Sequence, residues 1–311
     1  MSTAPCEPRM RQRPYQQVDV FSAVPLRGNP LAVVLDGEGL SEAQMQAFAA
    51  WTQLSETTFV LPPTPEGRAQ GADYRVRIFT PGGELPFAGH PTLGSAHAWL
   101  AAGGQPQSTG RLVQECGIGL VTLREIGGRR AFAAPDLRRS AVDAQALAAV
   151  CAALGLAREE VLAAQMLDNG PRWLGLWLPD APTVLSLEPD HARLRQLGIK
   201  VGVAAPRAQA GGLIRRASRE ALAFASHADG TDIEVRAFAA PVGIHEDPVT
   251  GSLNASLAQW LIADGLMPAR YRARQGTRLG RAGEVFVTQD EAGQVWVGGD
   301  VVGCIQGSVC L

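Results

Sequence analysis

One pattern occurs twice in this chain, and that repetition limits the possible folds more than any other feature. Glu84-Leu85-Pro86-Phe87-Ala88-Gly89-His90-Pro91-Thr92-Leu93-Gly94-Ser95 runs into an apolar segment at 96–101. Glu246-Asp247-Pro248-Val249-Thr250-Gly251-Ser252-Leu253-Asn254-Ala255-Ser256 runs into another at 257–261. Each reads as a loop that brings a polar side chain and a proline to the first turn of a helix. Proline suits that place because its missing N–H would be unpaired there anyway, and the neighbouring glycine lets backbone approach a ligand closely. The unpaired first-turn N–H groups make a ready anion site. Other fragments recur in the same order. Val76-Arg77-Ile78-Phe79 matches Val235-Arg236-Ala237-Phe238 at an offset of 159 residues (236 − 77), and Trp99-Leu100 matches Trp260-Leu261 at 161 (260 − 99). Gly28-Asn29-Pro30 and Asn169-Gly170-Pro171 each turn the chain into a strand. Several matches at nearly one spacing predict a duplicated β-rich unit, each copy curled around one central helix. The two helix-start loops then face each other across the interface, where ligand pockets favour forming.

The remaining elements follow from local pattern. Strands are predicted at 15–21, 31–35, 54–61 and 74–79, the last with clean period-two alternation. Ser41 and Gln44 have capping-box spacing and open a helix to about Trp51. The first central helix runs from Pro91 to about Ala101, and Gly103-Gly104 closes it. Short strands at 111–114, 120–125 and 130–133 complete the first copy. Helices are predicted at 141–154, 158–164 and 190–197, with strands at 172–178, 200–204, 212–216, 222–226 and 232–238. The second central helix covers Ser252 to about Asp264, and the last strands lie near 284–288, 294–298 and 301–305.

Composition excludes several classes of function. A net charge of -2 and the absence of a dense Lys/Arg cluster argue against nucleic-acid binding. Arg270, Arg272, Arg274, Arg278 and Arg281 are interleaved with apolar and Gly residues and read as a solvated strand and loop. Residues 1–17 are polar and have no apolar run, so neither a signal peptide nor a membrane span is expected there. Cys6, Cys116, Cys151, Cys304 and Cys310 form no C-x-x-C pair and have no nearby His at ligand spacing. Free thiols in a reducing cytoplasm, with no metal site, are the simplest reading.

Taken together, these residues resemble the PhzF-type phenazine-biosynthesis family, relatives of diaminopimelate epimerase in fold. The motifs that carry the resemblance span nearly the whole chain: Val18-Asp19-Val20-Phe21, Gly28-Asn29-Pro30, Leu54-Ser55-Glu56-Thr57, Gly89-His90-Pro91-Thr92, Glu246-Asp247-Pro248-Val249-Thr250-Gly251-Ser252, Gln275-Gly276 and Gly280-Arg281. Arg281-Ala282-Gly283 departs from the Arg-Pro-Ser expected of the family at that point. The resemblance implies an α+β fold of two similar halves, each a barrel-like, mostly antiparallel sheet wrapped around a central helix. It also implies a homodimer and an isomerase that uses no cofactor. The first half is expected over 15–127, completed by the C-terminal strand at about 298–311, and the second over 128–297, with 1–14 a flexible lead-in.

Glu56 on pattern alone is either a carboxyl raised in pKa by an apolar strand or a strand-edge residue facing water. The resemblance identifies it with the family's catalytic acid/base, which moves a proton between two positions on one face of trans-2,3-dihydro-3-hydroxyanthranilate. His90, as a cationic or neutral imidazole, is expected to hydrogen-bond a small-molecule carboxylate substrate beside the Gly89 and Gly251 amides. Asp247 is expected to accept from a substrate amino or hydroxyl group, or simply to cap the second helix. Ser252 resembles the family's small hydroxyl contact, while His97, His191, His227 and His245 lack comparable context. Two other functions remain open at this level. A two-base epimerase of this fold needs a thiol on each helix-start loop, and neither loop here contains Cys. A weaker variant opposes Glu56 with Asp247 or His90. A non-catalytic binder of small acids fits both loops but gains nothing from a further carboxylate.

Overall fold

The computed structural model describes residues 10–207 and 230–311. The strands expected at 212–216 and 222–226, and His227, lie outside the described residues.

The first run of elements is β1 (Gln12–Val20), β2 (Asn29–Val34), α1 (Glu42–Thr52), β3 (Thr57–Leu61), α2 (Pro65–Ala69), β4 (Tyr74–Thr80), β5 (Gly83–Leu85), α3 (Gly89–Ala101), β6 (Arg111–Cys116), β7 (Gly119–Ile126), β8 (Arg129–Ala133) and β9 (Arg138–Ser140). The second is α4 (Ala144–Leu154), β10 (Ala163–Asp168), β11 (Arg172–Trp177), α5 (Ala181–Ser186), α6 (His191–Leu197), β12 (Val201–Pro206), β13 (Ile233–Ala239), β14 (Ile244–Asp247), α7 (Gly251–Ala263), β15 (Arg270–Gln275), β16 (Gly283–Gln289), β17 (Val295–Gly299) and β18 (Val301–Cys310).

Strand pairing repeats between the runs. β1–β2 is antiparallel, β2–β3 parallel, β3–β4 antiparallel, β4–β6 parallel, and β6–β7–β8 antiparallel. The same sequence of senses recurs through β10, β11, β12, β13, β15, β16 and β17. β8 and β17 pair with each other and join the copies. Each copy also receives its closing strand from the other run: β18 pairs along β1 from Gln12 to Val20, and β9 pairs with β10. This is the diaminopimelate epimerase-like arrangement, two similar halves with one helix inside each.

The central helices show why the sheets curl. α3 and α7 are buried on almost every side, as a helix that is apolar all round must be. Leu93 and Ala96 of α3, and Leu253, Leu257, Trp260 and Leu261 of α7, are at most 1% exposed. Each such large side chain contributes about 1.5–3 kcal/mol by leaving water. Several polar residues on these helices are paired, although Ser256 Oγ is buried without a partner. Ser95 Oγ donates to Thr58 Oγ1 at 2.9 Å, and both helix starts are braced by a buried glutamine from equivalent strands. Gln114 Nε2 donates to Thr92 Oγ1 at 3.0 Å, and Gln275 Oε1 accepts from Asn254 Nδ2 at 2.8 Å. A second core packs α4, α5 and α6 against β11–β13, and a third packs α1 against β2–β4.

Some local expectations need correcting. The Ser41–Gln44 capping box forms as expected and opens α1. The helix expected at 158–164 does not form: Arg158–Glu160 is one 3-10 turn, and Ala163–Asp168 is strand β10, held between β9 and β11. Pairing with β11 draws Ala163 and Ala164 into the strand and leaves only one turn for Arg158-Glu159-Glu160. β1 begins at Gln12, three residues before the expected start, because β18 is long enough to pair with it there. In β15, Arg272 and Arg274 lie 3.9 and 3.7 Å from Glu284, so these arginines share one carboxylate on a sheet face. No helix among the described residues is long and apolar enough to cross a membrane.

Candidate active site

α3 and α7 meet start to start. A Cβ placed on Gly251 would lie 2.8 Å from Gly89 Cα and 2.9 Å from His90 N, so the two backbones touch where the helices begin. Their N-cap residues, Ala88 and Thr250, make no side-chain capping bond, which leaves the first-turn amides without side-chain acceptors. Beside this junction opens a cleft of about 730 Å³, lined among others by Glu56, Asp247, Thr250 and Ser252.

The expected site residues gather here from three connections. Glu56 is the residue immediately before β3, in the connection from α1, and not a strand residue as expected. Its side chain is only 12% exposed, and Oε2 is sealed from solvent without a hydrogen-bond partner. His90 Nδ1 stands 3.6 Å from that oxygen, just outside hydrogen-bond distance. His90 itself, Gly89 and Gly251 are buried in the wall behind the cleft and do not line it.

Asp247, at the end of β14, is fixed by two bonds. Thr250 Oγ1 donates to its Oδ2 at 2.6 Å, and Asn29 Nδ2 donates to its Oδ1 at 2.9 Å. It is therefore not the N-cap of α7, a position Thr250 holds. The preceding Glu246 is clamped by Arg236, whose Nη2 lies 2.8 Å from Oε2, and Arg236 also donates to the carbonyls of Val184 and Leu187. That buried pair sets the end of β14 and hence the position of Asp247.

Residues 18–307 match the PhzC-PhzF family, whose members are described as phenazine biosynthesis-like proteins. The chain belongs to the PhzF family. It is 32% identical to trans-2,3-dihydro-3-hydroxyanthranilate isomerase of Pseudomonas aeruginosa, over 90% of this chain and 91% of that one. It is 33% identical to antisense-enhancing sequence 1 of Schizosaccharomyces pombe, over 96% and 99% of the two chains. Among solved structures it resembles a PhzF-family phenazine biosynthesis protein of Enterococcus faecalis, with a TM-score of 0.74 and 26% identity over 97% of this chain and 100% of that one. Several curated relatives are named isomerases, and this PhzF-family chain is an isomerase.

Sequence reasoning passed over three residues of the site in this PhzF-family chain. Asn29 looked like a turn residue, yet it ties the halves together: Nδ2 also donates to the Val249 carbonyl at 2.9 Å and lies 3.5 Å from His90 Nδ1, while Oδ1 accepts from Ser55. Gln275 uses both ends of its amide on the Asp247–Thr250 loop, donating to the Asp247 carbonyl and accepting from Thr250 N. Lys200, which carried no motif, lines the cleft. Among the described residues, no group of three or more His, Cys, Asp or Glu side chains is gathered closely enough to hold a metal ion.

Burial dominates the electrostatics. It pushes the Glu56 carboxyl well above the usual carboxylate range, with the charge of Asp247 adding to the effect and Lys200 opposing it. It raises Asp247 to about 6, held back by the bonds from Thr250 and Asn29. Burial lowers His90 to about 3, so at neutral pH it is an uncharged imidazole and cannot act as the cation that holds an acid.

These shifts make stability depend on pH. Asp247 binds its proton more tightly folded (about 6) than at its ordinary value of 3.8. Its contribution is fully present below that ordinary value and is lost as pH rises through the folded one. Asp247→Asn is expected to flatten stability against pH across this window, removing a loss on the order of 3 kcal/mol over the full titration. Denaturant midpoints at unit pH steps check this; parallel curves for parent and variant would contradict it.

Proposed function

We propose that this isomerase moves a proton on a small cyclic carboxylate by same-face general acid/base catalysis. Glu56 takes the proton from one ring carbon and returns it to another. The observation that carries the proposal is the contrast between the cleft's two carboxyls. Asp247 is held by two hydrogen bonds, whereas Glu56 Oε2 is sealed from water without a hydrogen-bond partner, on a carboxyl whose affinity for a proton is raised. A general acid/base works best with a pKa drawn towards the working pH on a residue that borders the substrate, and Glu56 lines the cleft. Asp247 then serves as the fixed acceptor for a substrate amino or hydroxyl group. The neutral His90 stands behind the Glu56 carboxyl, its Nδ1 3.6 Å from Oε2. Ser252, which lines the cleft, steadies an oxygen substituent of the ring.

The candidate substrate is trans-2,3-dihydro-3-hydroxyanthranilate, from the name of the P. aeruginosa relative. The test is incubation with that acid, followed by proton NMR. Conversion at about 1 s⁻¹ or faster is expected, within the ordinary range for enzymes. Absence of conversion above the uncatalysed rate would remove this substrate.

A further inference from the structure

Lys200 has no part in the proton transfer as described, yet its placement is unusual. The chain contains 28 Lys and Arg residues, and Lys200 is its only lysine. In the repeated topology it takes the position that Glu56 takes in the other half. β3 runs parallel to β2 with Thr57 beside Ala32, and β12 runs parallel to β11 with Val201 beside Leu174. Glu56 and Lys200 are the residues immediately before those two paired positions, and both line the same cleft. Two copies of one loop position therefore bring a carboxyl and an ammonium to one cavity.

Among the described residues the ammonium has no counter-ion in contact: it makes no ion pair within 4.0 Å and no hydrogen bond. Nζ instead stands 4.9 Å from the centroid of the Trp173 ring, whose face offers a weak attraction. Glu56, Asp168 and Asp247 act on it across space and oppose the lowering of its pKa by burial, and Arg172 is a further cation at the exposed rim. Several arginines elsewhere are paired with protein carboxylates: Arg77 with Glu84, Arg139 with Asp264 and Arg236 with Glu246. A half-buried ammonium with three donors and no acceptor in contact is a site for an acceptor that comes from outside. His90, being neutral, leaves that charge role open.

We propose that Lys200 is the anion subsite of the cleft, taking the carboxylate of a small ring-bodied acid whose apolar face lies along Leu85, Phe87 and Ile244 while its reacting carbons lie over Glu56. The proposal rests on the cleft being the substrate site but not on the identity of the substrate. It assigns the charge recognition to one half of the molecule and the proton chemistry to the equivalent position of the other.

Because Lys200 is the only lysine, protein labelled with [15N]lysine shows one side-chain amine signal. The probe is 3-hydroxyanthranilate, compared with its uncharged amide, 2-amino-3-hydroxybenzamide, with binding also followed by calorimetry. The acid is expected to move the Nζ signal saturably and the amide to leave it unmoved. Lys200→Met is expected to weaken acid binding by about 10- to 100-fold with amide binding unchanged, and Lys200→Arg to recover part of the loss. Three results would overturn the subsite: acid binding with Nζ unmoved, an unchanged acid-to-amide ratio in Lys200→Met, or no Nζ shift up to about 10 mM acid. The NMR arm uses the parent protein, so it stands even if the variant folds poorly. None of these readouts involves turnover, so a negative result removes the subsite and leaves the Glu56 scheme to its own kinetics. Conversely, Glu56→Gln turning over like the parent, with Lys200 binding intact, removes only the acid/base scheme.

Discussion

Glu56→Gln is expected to lower turnover by about 10⁴-fold while leaving the fold in place, because in the proposed scheme one carboxyl both takes the proton and returns it. Glutamine keeps the size and shape of the side chain and removes only its ability to titrate. Glu56 makes no hydrogen bond through Oε2, and burial places its folded pKa well above the ordinary value. A carboxyl raised in this way costs stability as pH rises through its folded pKa, so the variant should be at least as stable as the parent in mildly alkaline buffer. Steady-state kinetics and denaturant midpoints on the same preparations check both halves of this expectation. A variant within tenfold of the parent, or one that loses turnover only because it unfolds, would contradict it.

Gly251→Ala is expected to destabilise the protein by about 3 kcal/mol or more and to abolish activity in what remains folded. The added Cβ would meet Gly89 Cα at 2.8 Å, Gly89 C at 2.9 Å and His90 N at 2.9 Å, all backbone atoms that no rotamer change can move. Gly89→Ala meets the same wall from the other side, at 2.9 Å from Gly251 Cα, and also Phe132 Cζ at 2.7 Å. Relief requires the starts of α3 and α7 to part. That would shift Asp247, Thr250 and the first-turn amides relative to Glu56, and displacements of about 1 Å at a catalytic site are costly in rate. Gly303→Ala is the control: it lies in β18 with nothing within 4 Å of the added carbon, and should change stability by no more than about 0.5 kcal/mol. Equal denaturant midpoints for Gly251→Ala and Gly303→Ala would show that the helix junction is not close-packed.

The glycine at each helix start also marks how far the sequence could be read. The repeated Gly-x-Pro and Pro-x-x-Gly loops, the matching VRxF strands and the Ser41 capping box lie in local sequence, and the corresponding elements formed. What joins the copies does not show locally. β18 closes the half that begins with β1, and β8 pairs with β17, through contacts between residues more than a hundred positions apart. The site divides in the same way. Glu56, Asp247 and Ser252 sit in recognisable motifs and line one cleft, and His90 could be placed near them but not behind them. Lys200 carried no signal, because a lone lysine after Gly198-Ile199 looks like any solvated cation. Only the parallel pairing of β11 with β12 sets it opposite Glu56 in the repeat. Asn29 likewise looked like a turn residue until the fold brought Asp247 and Val249 to its amide.

Same-face transfer through a single carboxyl is tested most directly by following hydrogen during turnover of the dihydro acid in deuterium oxide. With the parent, the new C–H bond is predicted to form on the face from which the original proton left. Deuterium should appear there alone, together with some protium carried over from the substrate, and Glu56→Gln should incorporate none above background. Deuterium arriving on the opposite face would reveal a second acid/base across the cleft, and incorporation by Glu56→Gln at the parent's rate would show that the proton travels through another group.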